Sequence, residues 1–254
     1  MRLVRFRFGE RISTGVLEGG VIRVLQGTFF EAPVPTGEEI PADDVRLLAP
    51  VLPSKIVGVG LNYASHAKEF GSGDLPQEPL LFLKPSTSVI GSGDPIPLHP
   101  ASEQVDFEGE LAVVIGRLAH RVGTPEEAAH SILGYTCGND VTLRDLQRRD
   151  DQWTRAKGFD GAAPLGPWIE TQIQANDLQI ESRVNGETRQ SSRTSDMVFG
   201  PVALVSYTTQ FMTLLPGDVI LTGTPAGVGP LAHGDEVEIE IEGIGVLANR
   251  AVAG

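Results

Sequence analysis

The sequence predicts a β-rich α+β fold built from short strands and many turns. Short runs alternate apolar and polar side chains, as LVRFRF at residues 3–8 does, which is the period of a half-buried strand. Thirty glycines and eighteen prolines punctuate these runs, too many for a chain of long helices. Helical patterns are correspondingly few and short.

Taken in order, residues 1–50 read as a small β-rich N-terminal domain. GVLEGG (residues 15–20) holds a turn between two strands, VIRVL (21–25) is apolar again, and a Pro- and acid-rich stretch fills 32–44. LLAPVLP (47–53) reads as a linker, so the boundary falls near residue 50 and residues 51–254 form a larger second domain. There IVGVG (56–60) is a strand and NYASHAKEF (62–70) one or two helical turns. GSGDLPQEP (71–79) is a loop of the composition that often forms a mobile lid. LLFLK (80–84) is a strand stopped by Pro85, and VDFEGELAVVI (105–115) is another. A helix starts near Thr124 with Pro125 at its first position. A strand over 132–137 precedes a polar helix over 142–151. LQIESRV (178–184) alternates, Asn185-Gly186 signals a hairpin, and ETRQ (187–190) begins the return strand. Residues 202–215 carry helical periodicity, and 218–222 and 237–242 read as strands. No repeat is evident.

A net charge of −13 argues against nucleic acid or an anionic membrane as partner. The lone cysteine, Cys137, rules out an intrachain disulfide, fits a reducing compartment, and reads as a buried strand residue. No apolar stretch reaches membrane-spanning length, and residues 1–9 lack a signal-peptide core. The expectation is a cytoplasmic protein.

Glu108 and Glu110 carry the chemistry. Two residues apart on a strand, they point the same way, and the apolar run after them buries that end. Two buried like charges are costly unless a cation joins them. A lone Glu-x-Glu also suits the wet face of an antiparallel strand. Asp140, in GNDVTLRDLQ, starts a polar helix on which Arg144 and Gln147 share its face. With the two glutamates it makes three hard oxygen ligands, a set for Mg²⁺ or Mn²⁺; zinc is disfavoured because no His or Cys stands at ligand spacing. His66 and Glu69 are three apart, side by side if helical, which makes either a general base with its orienting carboxylate or a surface pair. Lys157 lies among small and apolar residues that let a lysine approach a ligand, although a lone lysine also suits solvated surface. TGTPAGVG (222–229) lacks the lysine of a P-loop but offers backbone N–H groups to an anion.

Six blocks in register carry a resemblance: GVGLNYASHAKE (58–69), FLKP (82–85), DFEGELA (106–112), GYTCGNDVTLRDLQ (134–147), RAKGFD (155–160) and GDVILTGTPAGVG (217–229). Over residues 55–250 the chain resembles the fumarylacetoacetate hydrolase family. It looks closest to the bacterial branch with a short N-terminal domain, which includes acylpyruvate hydrolases, oxaloacetate decarboxylases and 2-hydroxyhepta-2,4-diene-1,7-dioate isomerase/decarboxylases. The resemblance implies a mixed β-sandwich roll, usually a homodimer. It implies Glu108, Glu110 and Asp140 as metal ligands, and His66 with Glu69 as a water-activating pair. It implies Arg144, Gln147, Lys157, Thr224 and Lys84 around a small 2-oxo acid or dicarboxylate. One departure is that residues 59–65 lack the further metal-binding acid found before the histidine in the hydrolase of tyrosine breakdown.

The implied chemistry is a pyruvate enolate stabilised by Mg²⁺. Because both His66 and Glu69 are present, the expectation is C–C hydrolysis of an acylpyruvate-type 2,4-dioxo acid. Isomerisation, decarboxylation, and an inactive dicarboxylate-binding module remain alternatives on the same residues.

Overall fold

The computed structural model describes residues 1–69 and 76–254; within them, strands dominate and helices are no longer than eight residues. Of the loop read as a lid, residues 71–75 lie outside the described residues. Among the described residues a twelve-stranded sheet forms the spine. Its path runs Val34–Pro41, Val21–Gln26, Arg11–Glu18, Arg2–Phe8, Ala163–Glu170, Ile132–Asn139, Gly109–Ile115, Val219–Leu221, Lys55–Gly60 and Leu80–Pro85. A five-stranded sheet, led by the Glu187–Arg193 and Gln179–Val184 hairpin, packs against it. A small three-stranded sheet joins Thr142–Leu143, Val105–Phe107 and Gly229–Pro230.

The Gly109–Ile115 strand is buried along its whole length. Val113 and Ile115 pack on one side, in a cluster with Leu204, Leu214 and Ile220. Ala112 and Val114 pack on the other, with Leu165 and Ile169. That alternation is the strand's period of two, and covering both faces explains the wholly apolar run from Leu111 to Ile115. Leu111 reaches a third cluster shared with the five-stranded sheet. The strand that carries the acids is therefore held on both faces by core packing.

Local signals in the sequence have clear counterparts. Thr124 caps the Pro125–Ser131 helix in a capping box with Glu127. Asn185 and Gly186 both take positive φ, 53° and 78°, as a two-residue hairpin turn requires.

Other elements differ from the sequence reading. The polar helix begins at Arg144, because Thr142 and Leu143 pair as strand with Asp106 and Val105. The apolar pattern over 202–215 is helical only over Pro201–Thr208, and Leu214 instead exchanges two 2.9 Å backbone bonds with Ala119. Leu47 and Leu48, expected within a linker, instead pair as strand with Phe6 and Arg5. Ala163–Glu170, for which the sequence reading has no element, is a central strand despite Pro164 and Pro167, residues that disfavour such a position. It is accommodated by an irregular ladder: pairing with Ile132–Asn139 shifts between Tyr135 and Cys137, so Pro167 falls where pairing lapses. Its other edge pairs with the first strand (Arg2↔Glu170, Leu3↔Ile169), so the N-terminal strands extend the central sheet. No helix among the described residues is long and apolar enough to cross a membrane.

Candidate active site

Glu108 and Glu110 flank Gly109 where the Val105–Phe107 strand passes into Gly109–Ile115. Asp140 follows the neighbouring Ile132–Asn139 strand, and its N–H donates to the Glu108 carbonyl at 2.9 Å. Two adjacent strand ends thus deliver three carboxylates to one point. One oxygen from each lies within 4.8 Å of the others, and all three residues are buried. Asp140 reaches the site from a strand end, not from the helix face it was expected to share with Arg144 and Gln147.

Buried cations surround the acids. Lys157 Nζ donates to Glu108 Oε2 at 2.9 Å, Asp140 Oδ2 at 2.6 Å and Thr142 Oγ1 at 2.8 Å. Lys84 Nζ donates to Asp140 Oδ1 and stands fully buried behind it. Arg144 donates through Nε to Asp106 Oδ2 at 2.8 Å, through Nη2 to Glu108 Oε1, and through Nη1 to Gln147 Oε1 at 2.5 Å.

The two glutamates are driven apart electrostatically. Burial and the nearby Asp140 and Glu108 charges push Glu110 well above the ordinary carboxylate range. Burial also pulls Glu108 upward, but Lys157 and Arg144 together outweigh it and hold Glu108 below that range. Burial lowers the Lys84 ammonium, against the pull of Asp140. For Lys157 the attraction of Asp140 and Glu108 overcomes burial, and its pKa rises.

A cavity of about 250 Å³ opens onto this cluster. Glu108, Glu110, Asp140, Arg144, Gln147, Lys157, Thr224 and His66 all line it. Leu80, Phe82 and Trp153 form an apolar wall, the two rings meeting edge to face at 5.6 Å. Leu61, also in the lining, holds φ at 57°, a left-handed conformation that strains a bulky residue and is typical of functional sites. His66 Nδ1 lies 3.3 Å from Glu69 Oε2 on the short Ala64–Glu69 helix. Burial, its largest influence, lowers the His66 pKa. Lys84 and Glu69, both expected at the site, bear on it through Asp140 and His66.

Several contributors were invisible in the sequence. Gln190, fully buried on the return strand of the hairpin, accepts from Gly109 N–H at 3.0 Å and donates to Thr224 Oγ1 at 2.8 Å and Pro225 O at 2.7 Å. Thr224 Oγ1 in turn donates to Gly109 O at 2.9 Å. Both peptide groups of the residue between the glutamates are thereby tied to the glycine-rich turn. Asn139 Oδ1 accepts from Glu108 N–H at 2.9 Å, and Asp106 anchors Arg144. No local pattern marks such partners, since Gln190 is 81 residues from Gly109.

The donor set fits a divalent cation. Among the described residues, four buried carboxylates (Asp106, Glu108, Glu110, Asp140) face three buried cations (Lys84, Arg144, Lys157), one acid more than bases. Glu110 is the acid with no ion-pair partner among the described residues, and its one hydrogen bond there comes from Gly223 N–H at 2.6 Å. Hard oxygens at this spacing suit Mg²⁺ or Mn²⁺, whose opposite ligands are about 4 Å apart.

Residues 55–252 match the family described as fumarylacetoacetate (FAA) hydrolase C-terminal, and residues 1–50 match Rv2993c-like, N-terminal. The fold superposes on 5-carboxymethyl-2-hydroxymuconate delta-isomerase from Mycobacterium smegmatis with a TM-score of 0.94, at 48% identity and covering 100% of both chains. A mitochondrial oxaloacetate tautomerase of Bos taurus, FAHD2A, is 45% identical over 84% of this chain and 71% of its own. The crystal structure of fumarylpyruvate hydrolase from Pseudomonas aeruginosa, in complex with Mn²⁺ and pyruvate, superposes with a TM-score of 0.75 at 33% identity, covering 82% of this chain and 92% of that one. The chain belongs to the fumarylacetoacetate hydrolase family.

Proposed function

We propose that the protein transfers a proton at C3 of a small 2-oxo acid, interconverting its keto and enol forms or moving a double bond between carbons. The observation that carries this is His66, its pKa lowered by burial, lining the same cavity as the buried Glu108, Glu110 and Asp140. A divalent cation held by those three acids would supply Lewis acidity toward the 1-carboxylate and 2-oxo oxygens.

The chain's own residues do the rest. Glu69 orients the His66 ring through Nδ1, which assigns proton pick-up from C3 to Nε2. Lys157 and Arg144 hold Glu108 ionised and in place. Their positive charge also favours an enolate over the neutral ketone. Phe82, Trp153 and Leu80 keep water from the apolar side of the cavity, which strengthens those charges. The proton taken from C3 returns from His66 either to the enolate oxygen, which gives the enol, or to another carbon, which shifts the double bond. The names of relatives at 45–48% identity, a tautomerase and an isomerase, support the same reaction type.

A second reading is C–C hydrolysis of a 2,4-dioxo acid, with His66 and Glu69 activating water. The His66–Glu69 pair and the likeness to fumarylpyruvate hydrolase support it. One experiment separates the two. Purified protein with Mg²⁺ or Mn²⁺ is given enol-oxaloacetate and, separately, acetylpyruvate. Accelerated enol-to-keto conversion without cleavage of acetylpyruvate, stopped by EDTA, supports proton transfer. Release of pyruvate and acetate from acetylpyruvate transfers the assignment to hydrolysis, and pyruvate with CO₂ from oxaloacetate transfers it to decarboxylation. No action on either compound sinks all three.

A further inference from the structure

Among the described residues three full cations line the cavity, and two of them are committed. Lys157 is spent on Glu108, Asp140 and Thr142, and Arg144 on Asp106, Glu108 and Gln147. Arg148 is different. It is exposed, and its one hydrogen bond among the described residues is a 3.4 Å contact from Nη1 to the neutral Gln104 amide oxygen. Among the described residues no carboxylate lies within ion-pair distance of it.

Its position on the Arg144–Arg149 helix is informative. Arg144 and Arg148 are four residues apart and therefore on one helix face, with Arg148 about 5–6 Å further along the axis. Arg144 reaches inward to the acids, while Arg148 also lines the adjoining surface depression with Glu69, Gln104 and Asp106. The cavity thus has a committed, buried charge cluster at its inner end and an uncommitted guanidinium at its mouth. The same cavity has an apolar wall of Leu80, Phe82 and Trp153.

We propose that Arg148 determines specificity by receiving the distal carboxylate of a 2-oxo diacid whose 2-oxo acid head lies at the inner cluster. This rests on the proton-transfer reading and names the substrate class for that site. A guanidinium without a carboxylate partner loses no existing ion pair when a ligand carboxylate arrives, and its fork matches the two oxygens. A monocarboxylic 2-oxo acid of the same length would place a methyl group there and leave the charge unused. Discrimination by such a contact is on the order of 10- to 100-fold in kcat/KM.

The test uses two matched pairs of equal carbon number: oxaloacetate against 2-oxobutyrate, and 2-oxoglutarate against 2-oxovalerate. Exchange of the C3 protons with D₂O is followed by NMR for the Mn²⁺- or Mg²⁺-loaded full chain. The wild type is expected to favour the diacid of at least one pair. Arg148→Gln is expected to lower that diacid-to-monoacid ratio by about tenfold or more, chiefly through KM, and Arg148→Lys to restore part of it. Thermal melts of the variants report whether they are folded. An unchanged ratio in a folded Arg148→Gln, or a wild type with no diacid preference, overturns the inference while leaving proton transfer intact. No catalysed exchange with any of the four acids overturns the proton-transfer reading, and this inference with it.

Discussion

Glu108 and Glu110, which flank Gly109 where one buried strand passes into the next, sit on opposite sides of the ordinary carboxylate range. Lys157 and Arg144 hold Glu108 below it, while burial and the neighbouring acids push Glu110 well above it. Such a split separates a permanent charge from one that waits for a counter-ion. Binding of a divalent cation should therefore favour loss of the Glu110 proton, with more proton released per ion bound as the pH is lowered. Titration of Mn²⁺ by calorimetry in two buffers of different ionisation enthalpy reads this directly. Glu110→Gln should bind more weakly and release none; equal proton release by the variant would contradict the assignment.

Removing Lys157 leaves Glu108 and Asp140 buried with part of their compensation gone. Lys157→Met, unfolded in urea in the presence of EDTA, should be less stable by about 3–5 kcal/mol. Added Mn²⁺ should return part of that by mass action, because it binds only the folded chain. A variant as stable as the wild type in EDTA would show that the lysine is not needed to hold the acids.

Gln190 joins the strand bearing the glutamates to the turn bearing Thr224. Gln190→Ala strands the buried Gly109 N–H and Pro225 carbonyl, at a cost of about 1–3 kcal/mol for each unsatisfied group. It should also weaken Mn²⁺ affinity by about 10- to 100-fold, as loss of an outer support does. Chemical denaturation and calorimetry on the same sample separate the two effects, and lost stability with unchanged affinity would confine Gln190 to a structural role.

How far this site was legible depends on the range of the interactions that make it. Glu108 and Glu110 could be read because a period of two and an apolar continuation are local facts. The capping box at Thr124 and the Asn185-Gly186 turn were equally local. Asp140 was legible as a member of the trio but not by its route, since Thr142 and Leu143 are drawn into strand pairing with Asp106 and Val105, far away in the chain. The Ala163–Glu170 strand was hidden by its prolines, whose cost is absorbed where the ladder with Ile132–Asn139 lapses. Gln190 and Asp106 announce nothing in isolation; each becomes a site residue only through a partner far away in the chain.

His66 gives the reaction its expected pH dependence. Burial is the largest influence on the ring and lowers its pKa from the ordinary 6.5, so the neutral base predominates at pH 7. Activity should be lost only as falling pH protonates it, with the acid limb of kcat/KM centred below 6.5. His66→Ala should cost about 10²- to 10⁴-fold in kcat. A limb above the ordinary histidine value, or an unaffected kcat, would point to another base.

Asp218 fastens the entry of the Lys55–Gly60 strand, accepting from Ser54 N–H at 3.0 Å, Ser54 Oγ at 2.7 Å and Leu215 N–H at 2.8 Å. Burial works to raise its pKa, but these donors and Lys55 lower it below the ordinary 3.8. The sign follows: its stabilising contribution is complete above 3.8 and is lost as pH falls through the lower, folded-state value. Asp218→Asn should lower stability at neutral pH and flatten the acid side of the stability curve, measured by urea midpoints between pH 2.5 and 7. A variant that keeps the wild-type acid slope would assign that slope to other carboxylates.

The account rests on one centre, and diffraction from a crystal grown with Mn²⁺ tests it most directly. The expected result is a single strong anomalous peak per chain, within coordination distance of one oxygen from each of Glu108, Glu110 and Asp140. A cluster without a peak in a crystal that binds Mn²⁺ elsewhere, or a peak touching none of the three, would contradict it.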